Sequence, residues 1–161
     1  MSSLTLHGNS KVELPNLAAT HAFAARTAEL LQAGDVIALR GDLGVGKSEF
    51  ARALIRARAG AEIEVPSPTF TIIQDYSLAD LTLRHIDLYR LADPDELLEL
   101  GLEDAPAEHE AWLVEWPERA GGRLIGAVLT IEFRETAAIQ ARTAHVTGDA
   151  SWASRMNSLI S

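Results

Sequence analysis

The stretch that decides the fold is GDLGVGKS, residues 41–48. It matches the pattern G-x-x-x-x-G-K-[S/T] of a phosphate-binding loop, whose fixed positions are filled by Gly41, Gly46, Lys47 and Ser48. Glycines let successive backbone N–H groups turn towards phosphate oxygens, where a side chain would block the approach. In such loops the lysine reaches the β- and γ-phosphates and the hydroxyl ligates Mg²⁺. The motif therefore predicts a site for a nucleotide with its metal ion.

The segments on either side of the loop have the pattern that this motif requires. Residues 36–40 (VIALR) are mostly apolar, as expected of a parallel strand buried on both faces. Residues 48–59 contain strong helix formers, and their apolar side chains fall on one stripe. The order strand, glycine loop, helix would present phosphates to a helix N-terminus, whose partial positive charge favours anions. An ordinary glycine-rich turn would require neither flank.

Length and composition set the class of protein. The 161 residues are enough for a single domain, residues 1–161, with one sizeable core. The absence of cysteine excludes disulfides and thiolate metal sites. No apolar run is long enough to span a bilayer, and the N-terminus lacks the pattern of a signal peptide. We therefore expect no membrane association and a cytoplasmic location.

The net charge of −9 bears on possible partners. An acidic protein is a poor electrostatic match for a nucleic-acid backbone. If nucleic acid is involved, another protein should do most of the binding. The acidity is equally well explained as a solubility feature without a partner.

The remaining elements are predicted from periodicity and from turn residues. A helix over residues 17–31 follows Asn16, a good N-cap, and ends before Gly34. Residues 151–161 form either a short terminal helix or a loose tail. The other predicted helix spans residues 94–100 after Asp93, and the predicted strands span residues 11–14, 70–76, 81–87, 111–115, 127–132 and 141–146. The strands at 70–76 and 81–87 are expected to form a hairpin.

Two carboxylates stand at the ends of apolar strands. Asp87 and Glu115 are each candidates to hold Mg²⁺ or to orient the attacking water, because open α/β sheets place ligands at the carboxyl ends of their strands. The residues alone do not rank one above the other, and a turn-capping role remains open for Asp87. His85 is interpreted as a packed structural histidine rather than a general base. Trp116 is either a core aromatic or a stacking surface.

Three further features have two interpretations each. The segment VPSPTFT, residues 65–71, is either a switch that senses the γ-phosphate through Ser67 and Thr69 or a proline-rich connector. The acidic residues between positions 95 and 104 are either a docking face or a solvated surface. Arg142 is either a contact to phosphate or base or an exposed strand arginine.

With GDLGVGKS, SPTF, HIDLYR and VEWPE in this order, the chain resembles the TsaE (YjeE) family over residues 14–146. The glycine loop is generic, whereas the HIDLYR and VEWPE runs at these distances are specific to the family. The resemblance implies a P-loop NTPase-like α/β fold, with a central, mostly parallel sheet, antiparallel additions and flanking helices. It also implies ATP and Mg²⁺ as cofactors and a role in making threonylcarbamoyladenosine at position 37 of tRNAs that read ANN codons. The implied partners are TsaB and TsaD, which transfer the threonylcarbamoyl group, and tRNA is contacted only indirectly.

The resemblance also implies roles for particular residues. Ser48 and Glu115 match metal-binding positions, and Asp87 matches the acidic position beside them. The expected catalytic residues are Lys47, Asp87 and Glu115. The expected nucleotide-binding residues are Asp42, Gly44, Val45, Gly46, Lys47, Ser48, Phe50, Thr69, Trp116 and Arg142.

The chain departs from the family pattern in two places. Ser48 replaces the usual threonine but keeps the hydroxyl. Around Arg142 the family often has G-R-E-A-R, whereas residues 141–145 read ARTAH.

These features predict an ATPase with slow basal turnover that a partner accelerates, because no arginine in the chain is placed to act as a finger. The main alternative is a small-molecule P-loop kinase. The short segment after the loop helix argues against it, because such kinases usually have a longer insertion there that forms the acceptor site. A nucleotide-dependent binding module that barely hydrolyses ATP is the third possibility.

Overall fold

The computed structural model describes residues 8–68, 71–102 and 104–160. The strands are β1 (Gly8–Leu14), β2 (Asp35–Arg40), β3 (Ile73–Ser77), β4 (Thr82–Asp87), β5 (Glu110–Glu115), β6 (Ala127–Glu135) and β7 (Arg142–Gly148). The helices are α1 (Leu17–Leu30), α2 (Lys47–Ala59), α3 (Glu96–Glu99) and α4 (Ala150–Ile160), with a 3₁₀ turn at Pro117–Ala120. In the described part of the chain, no helix has the length and apolar character needed to cross a membrane.

Seven strands of the described chain form one sheet in the order β1-β7-β6-β2-β5-β4-β3. The centre is parallel, since β2 pairs in parallel with β5 and β6 and β4 pairs in parallel with β5. The margins are antiparallel, with β3 against β4 on one side and β7 and β1 added to β6 on the other. The predicted fold class, a mostly parallel α/β sheet with antiparallel additions, is confirmed.

Strand β2 is apolar on both faces because both faces of the sheet are covered. Ile37 and Leu39 belong to the larger core, which α1, α2 and α4 share. Val36 points the other way, into a smaller core beneath the segment that contains α3. This double burial fixes the strand whose carboxyl end carries the glycine loop.

The helix ends follow the expected capping chemistry. Asn16 caps α1, because its Oδ1 accepts from the backbone N–H of Ala19 at 2.8 Å. Gly60 closes α2 in the left-handed region at φ +68°, and its N–H donates to the carbonyls of Arg56 and Ala57. Helix α1 ends at Leu30, one residue earlier than predicted, because Leu31 is already extended.

Several boundaries differ from the sequence prediction. Strand β3 begins at Ile73 rather than at position 70, because Ile72 adopts φ +67° and donates its N–H to the Pro68 carbonyl. Phe70, the expected first residue of that strand, lies outside the described residues. The expected helix at 94–100 narrows to the four residues of α3, although Asp93 Oδ1 does accept from the N–H of Asp95. The hairpin of β3 with β4 is confirmed.

Of the two outcomes left open for the C-terminus, the structure has the helix. The apolar face of α4 buries Trp152, Met156 and Leu159. Arg155 adds a paired contact to Asp35 at the start of β2, with N–O distances of 2.8 and 2.9 Å. These contacts attach α4 to the sheet at the end away from the glycine loop.

Candidate functional site

The glycine loop connects β2 to α2 and leaves the helix N-terminus without a side-chain cap. Gly46 is the N-cap residue and adopts φ +115°, which L side chains rarely reach. Gly41 adopts φ +138°, and a Cβ there would lie 2.8 Å from the carbonyl oxygen of Phe133. The first amides of α2 are therefore available to an anion, which the helix dipole favours.

Lys47 lies inside the loop with 5% of its surface exposed. Its ammonium donates to the carbonyl of Gly41 and stands 3.5 Å from the centroid of the Trp116 ring. Desolvation lowers the pKa of Lys47 below its ordinary value, against an opposing effect of Glu115 and other nearby carboxylates. A buried cation next to a helix N-terminus suits a ligand that brings several negative charges.

The two strand-end carboxylates meet at this loop. Asp87 and Glu115 are directly paired in the register of β4 with β5. Both are buried, and both line a cleft of about 260 Å³ together with Lys47 and Ser48. The Ser48 hydroxyl donates to Glu115 Oε1 at 3.0 Å. Asp87 Oδ1 accepts from the backbone N–H of Tyr89 at 2.9 Å. We call this space the phosphate cleft.

His85 contacts the site more closely than its sequence suggested. Its Nε2 lies 2.7 Å from Glu115 Oε2, and both side chains are almost fully buried. It is packed and hydrogen-bonded, as expected, but its partner is a candidate metal ligand. The signal available in the sequence was its position two residues before Asp87, which puts both side chains on one face of β4.

Aromatic side chains close one wall of the phosphate cleft. Trp116 adopts φ +58°, an uncommon conformation for a residue other than glycine, and its ring lies 5.0 Å from that of Tyr89. The guanidinium of Arg119 lies over the Tyr89 ring, 5.5 Å from its centroid. Trp116 is half-buried and has features of both interpretations, since it packs against the smaller core and also lines the phosphate cleft. Stacking on a base or a partner stays a prediction. Tyr89 was missed, although it belongs to the HIDLYR run.

A second cleft, of about 270 Å³, lies on the other side of the loop and has a mostly apolar lining. Arg142 reaches the loop from β7, since its Nε donates to the Val45 carbonyl at 2.8 Å. We call this space the apolar cleft. It is lined by Leu17, Thr20, Val45, Gly46, Glu49, Phe133, Gln140 and Arg142. The sequence did not predict that Leu17 and Thr20 of α1 and Gln140 of the β6–β7 turn lie at this cleft, because only the tertiary fold brings them to the loop.

Four expected nucleotide-binding residues remain, and they differ in their surroundings. Asp42 and Gly44 are part of the loop itself, and Asp42 lies close enough to Lys47 to affect the pKa of the ammonium. Phe50 faces the core instead, because its ring is fully buried between Phe23 and Phe133 at 5.4 Å from each. Thr69 lies outside the described residues.

The arrangement gathers four kinds of group in one cleft: uncapped amides, an ammonium, a hydroxyl and two carboxylates. The first two attract phosphate oxygens, and the last two are oxygen ligands of the type that Mg²⁺ prefers. Phosphoryl transfer needs mainly positioning and charge neutralisation, and these groups supply both.

Comparisons with known proteins point to one family. A family model described as "Threonylcarbamoyl adenosine biosynthesis protein TsaE" matches residues 14–144, which include the loop, both carboxylates and Arg142. A tRNA threonylcarbamoyladenosine biosynthesis protein TsaE of Rickettsia bellii is 41% identical over 110 residues, which are 68% of this chain and 76% of that protein. The protein of the same name from Bacillus subtilis is 42% identical over 97 residues, or 60% of each chain. The crystal structure of Bacillus subtilis YdiB superposes with a TM-score of 0.70 at 28% identity, covering 94% of this chain and 97% of that one.

Proposed function

Because the chain belongs to the TsaE family of threonylcarbamoyl adenosine biosynthesis proteins, we propose that it binds and hydrolyses ATP in the threonylcarbamoyl modification of tRNA. The modified nucleoside is adenosine 37 of tRNAs that read ANN codons. The protein acts on the TsaB–TsaD complex, which carries out the transfer, and it meets tRNA only through that complex.

The observation that carries the proposal is the contact between Ser48 and Glu115. Residues 67 positions apart in the chain meet at 3.0 Å, at the mouth of a glycine loop and at the N-terminus of α2. A turn without a ligand would not require a buried carboxylate from a neighbouring strand at this point. A nucleoside triphosphate with its metal ion does require such a carboxylate.

The loop and Lys47 hold the phosphates in this proposal. The amides at the start of α2 donate to phosphate oxygens, and the Lys47 ammonium neutralises charge on the β- and γ-phosphates. Lys47 already points into the phosphate cleft, so binding requires only the exchange of the Gly41 carbonyl for a phosphate oxygen.

Ser48, Glu115 and Asp87 fit Mg²⁺, because their hydroxyl and carboxylate oxygens line one cleft. Among the described residues no group of three or more His, Asp or Glu side chains forms a metal site alone. Such a sparse set suits Mg²⁺, which usually keeps several waters and shares its ligands with substrate phosphates. When bound there, the ion would neutralise the charge that develops on the transferred phosphoryl group.

Two features support dependence of the protein on its partners. No arginine is among the described residues that line the phosphate cleft, so these lining residues include no side chain of the kind that speeds hydrolysis in related mechanisms. The net charge of −9 also fits a protein that reaches tRNA through a complex rather than directly.

The test is ATP binding and hydrolysis by the purified protein, with and without TsaB–TsaD. We expect ATP to be retained with Mg²⁺ present and to be hydrolysed faster in the presence of the complex. Equal rates with and without the complex would remove partner activation. Failure to retain ATP with Mg²⁺ would overturn the proposal as a whole. Transfer of labelled phosphate to a small molecule instead of water would favour the kinase alternative.

A further inference from the structure

His85 is the buried polar residue of the site that phosphate binding does not explain. It is 2% exposed and lies on the face of β4 that also carries Leu83 and Asp87. Its register partner on β5 is Leu113, which is fully buried. An imidazole therefore stands where the apolar core ends and the phosphate cleft begins.

The hydrogen bond to Glu115 fixes which nitrogen of His85 carries the proton. A carboxylate only accepts, so the Nε2 that lies 2.7 Å from Glu115 Oε2 must be the donor. In the neutral ring the lone pair is then on Nδ1. That atom is buried and has no hydrogen-bond partner among the described residues. Burial of an unpartnered polar atom is unfavourable. A leucine in the same place would not carry that penalty.

We propose that His85 is a positioning residue for Glu115, an inference that rests on the proposed function. By holding Oε2, the imidazole turns Oε1 towards the Ser48 hydroxyl, 3.0 Å away. The two candidate Mg²⁺ ligands are thereby oriented before nucleotide arrives. Residues that orient a metal ligand from behind set metal affinity, and their loss weakens it by about 10- to 100-fold.

Three substitutions separate positioning from packing. His85→Leu fills the space but donates nothing. His85→Gln places an amide N–H near the position of Nε2, so it can still reach Glu115. His85→Asn places its amide near the position of Nδ1 instead, so it is a matched polar control that falls short of Glu115.

The measurement is the binding of a fluorescent ATP analogue by anisotropy, first in EDTA and then over a titration with MgCl₂. We expect His85→Leu and His85→Asn to raise the Mg²⁺ midpoint by about 10- to 100-fold. His85→Gln should restore it to within about threefold of the unchanged protein. Affinity in EDTA should stay within about twofold for all three. The thermal midpoint should fall in His85→Leu and His85→Asn and less in His85→Gln, because only the glutamine leaves the buried Glu115 Oε2 with a donor.

Two results would overturn the inference. One is an unchanged Mg²⁺ midpoint in His85→Leu. The other is an equal loss of affinity with and without Mg²⁺ in all three variants, because that pattern marks a purely structural role. If the unchanged protein binds the analogue and gains affinity with Mg²⁺ while His85→Leu behaves identically, only the role of His85 fails. If the unchanged protein does not bind the analogue at all, the proposed function fails with it.

Discussion

Each cleft beside the glycine loop is lined by a glutamate that is hydrogen-bonded to a histidine. The N–O distances of the two pairs are nearly equal, but the pairs differ in burial and in their further partners. In the phosphate cleft, Glu115 and His85 are 2.7 Å apart with side chains 2% and 3% exposed. At the edge of the apolar cleft, the lining residue Glu49 lies 2.8 Å from His21, with side chains 35% and 47% exposed.

The second oxygen of each glutamate shows what each pair does. Glu115 Oε1 accepts from Ser48, a hydroxyl of the loop. Glu49 Oε2 accepts from Arg52 instead, on the same helix. Glu115 is thus directed towards the glycine loop, whereas Glu49 is paired with two basic groups, His21 and Arg52. An exposed ion pair contributes about 0–1 kcal/mol, whereas a buried charge needs its partners. The hydrogen-bond length is therefore not what separates the two pairs. They differ in burial and in the group that donates to the second carboxylate oxygen.

The largest effect is expected at Lys47, and it tests whether affinity for nucleotide comes from the phosphate cleft. Lys47→Ala removes a buried cation at the loop and should cost about 3 kcal/mol of nucleotide binding. That is roughly a 150-fold loss of affinity for ATP, measurable by calorimetry. Lys11→Ala is the control, because it removes the same charge from a side chain 60% exposed on β1. Similar losses in both variants would mean that only net charge matters.

Glu115→Gln tests the buried pair directly. The amide keeps the size of the side chain but removes its charge. The rate of hydrolysis stimulated by the partner complex should therefore fall roughly 100-fold, which corresponds to an activation barrier raised by about 2.7 kcal/mol. Affinity for ATP in EDTA should change by less than about threefold, because the loop amides and Lys47 remain. Single-turnover hydrolysis and nucleotide binding, measured together, separate these effects. Unchanged turnover would show that Glu115 is not part of the chemistry.

The polar residues of the phosphate cleft were predictable from the sequence because each stands next to a strong local signal. Lys47 and Ser48 are part of the glycine loop, and Asp87 and Glu115 end short apolar strands. Parallel pairing then brings strand ends together without further information, as the register of Asp87 with Glu115 shows. The central strands were predictable for the same reason, since burial on both faces leaves continuous apolar runs.

The apolar cleft was not predictable in this way. Leu17 begins α1, and Gln140 lies in the β6–β7 turn, yet both line a space beside Val45. Their proximity depends on the packing of α1 against α2 and on the antiparallel return of β7, and neither is encoded in a local pattern. Phe50 shows the reverse, because its position beside the motif suggested a ligand contact while its ring belongs to the core.

Arg142→Ala probes the link between the apolar cleft and the loop. The guanidinium donates to the Val45 carbonyl at 2.8 Å, so its removal should loosen the loop and lower ATP affinity by about tenfold, or about 1.4 kcal/mol. The gain in affinity on adding Mg²⁺ should be retained, since the ligands in the phosphate cleft are untouched. Arg134→Ala is the matched control, because that arginine is 60% exposed and pairs with Glu132. Loss of the Mg²⁺ response in Arg142→Ala would mean that the two clefts are not separable.

The smallest effect is expected from Glu49→Gln, the counterpart of Glu115→Gln. Affinity for ATP should change by less than about twofold, because Glu49 is already paired with His21 and Arg52. Its stability effect should stay below about 0.5 kcal/mol at neutral pH, because solvent screens a side chain that is 35% exposed.

The pH dependence of that small effect has a definite sign. The hydrogen bond from His21, ahead of the charge of Arg52, lowers the pKa of Glu49 below its ordinary value of 4.5. A lowered carboxyl pKa stabilises the fold above 4.5, and the contribution is lost as the pH falls through the lowered pKa. Glu49→Gln should therefore be slightly less stable than the unchanged protein at pH 6 and indistinguishable from it well below pH 4, as measured by urea unfolding. A larger difference in acid than at pH 6 would reverse this sign and would show that the exposed pair is not a simple surface contact.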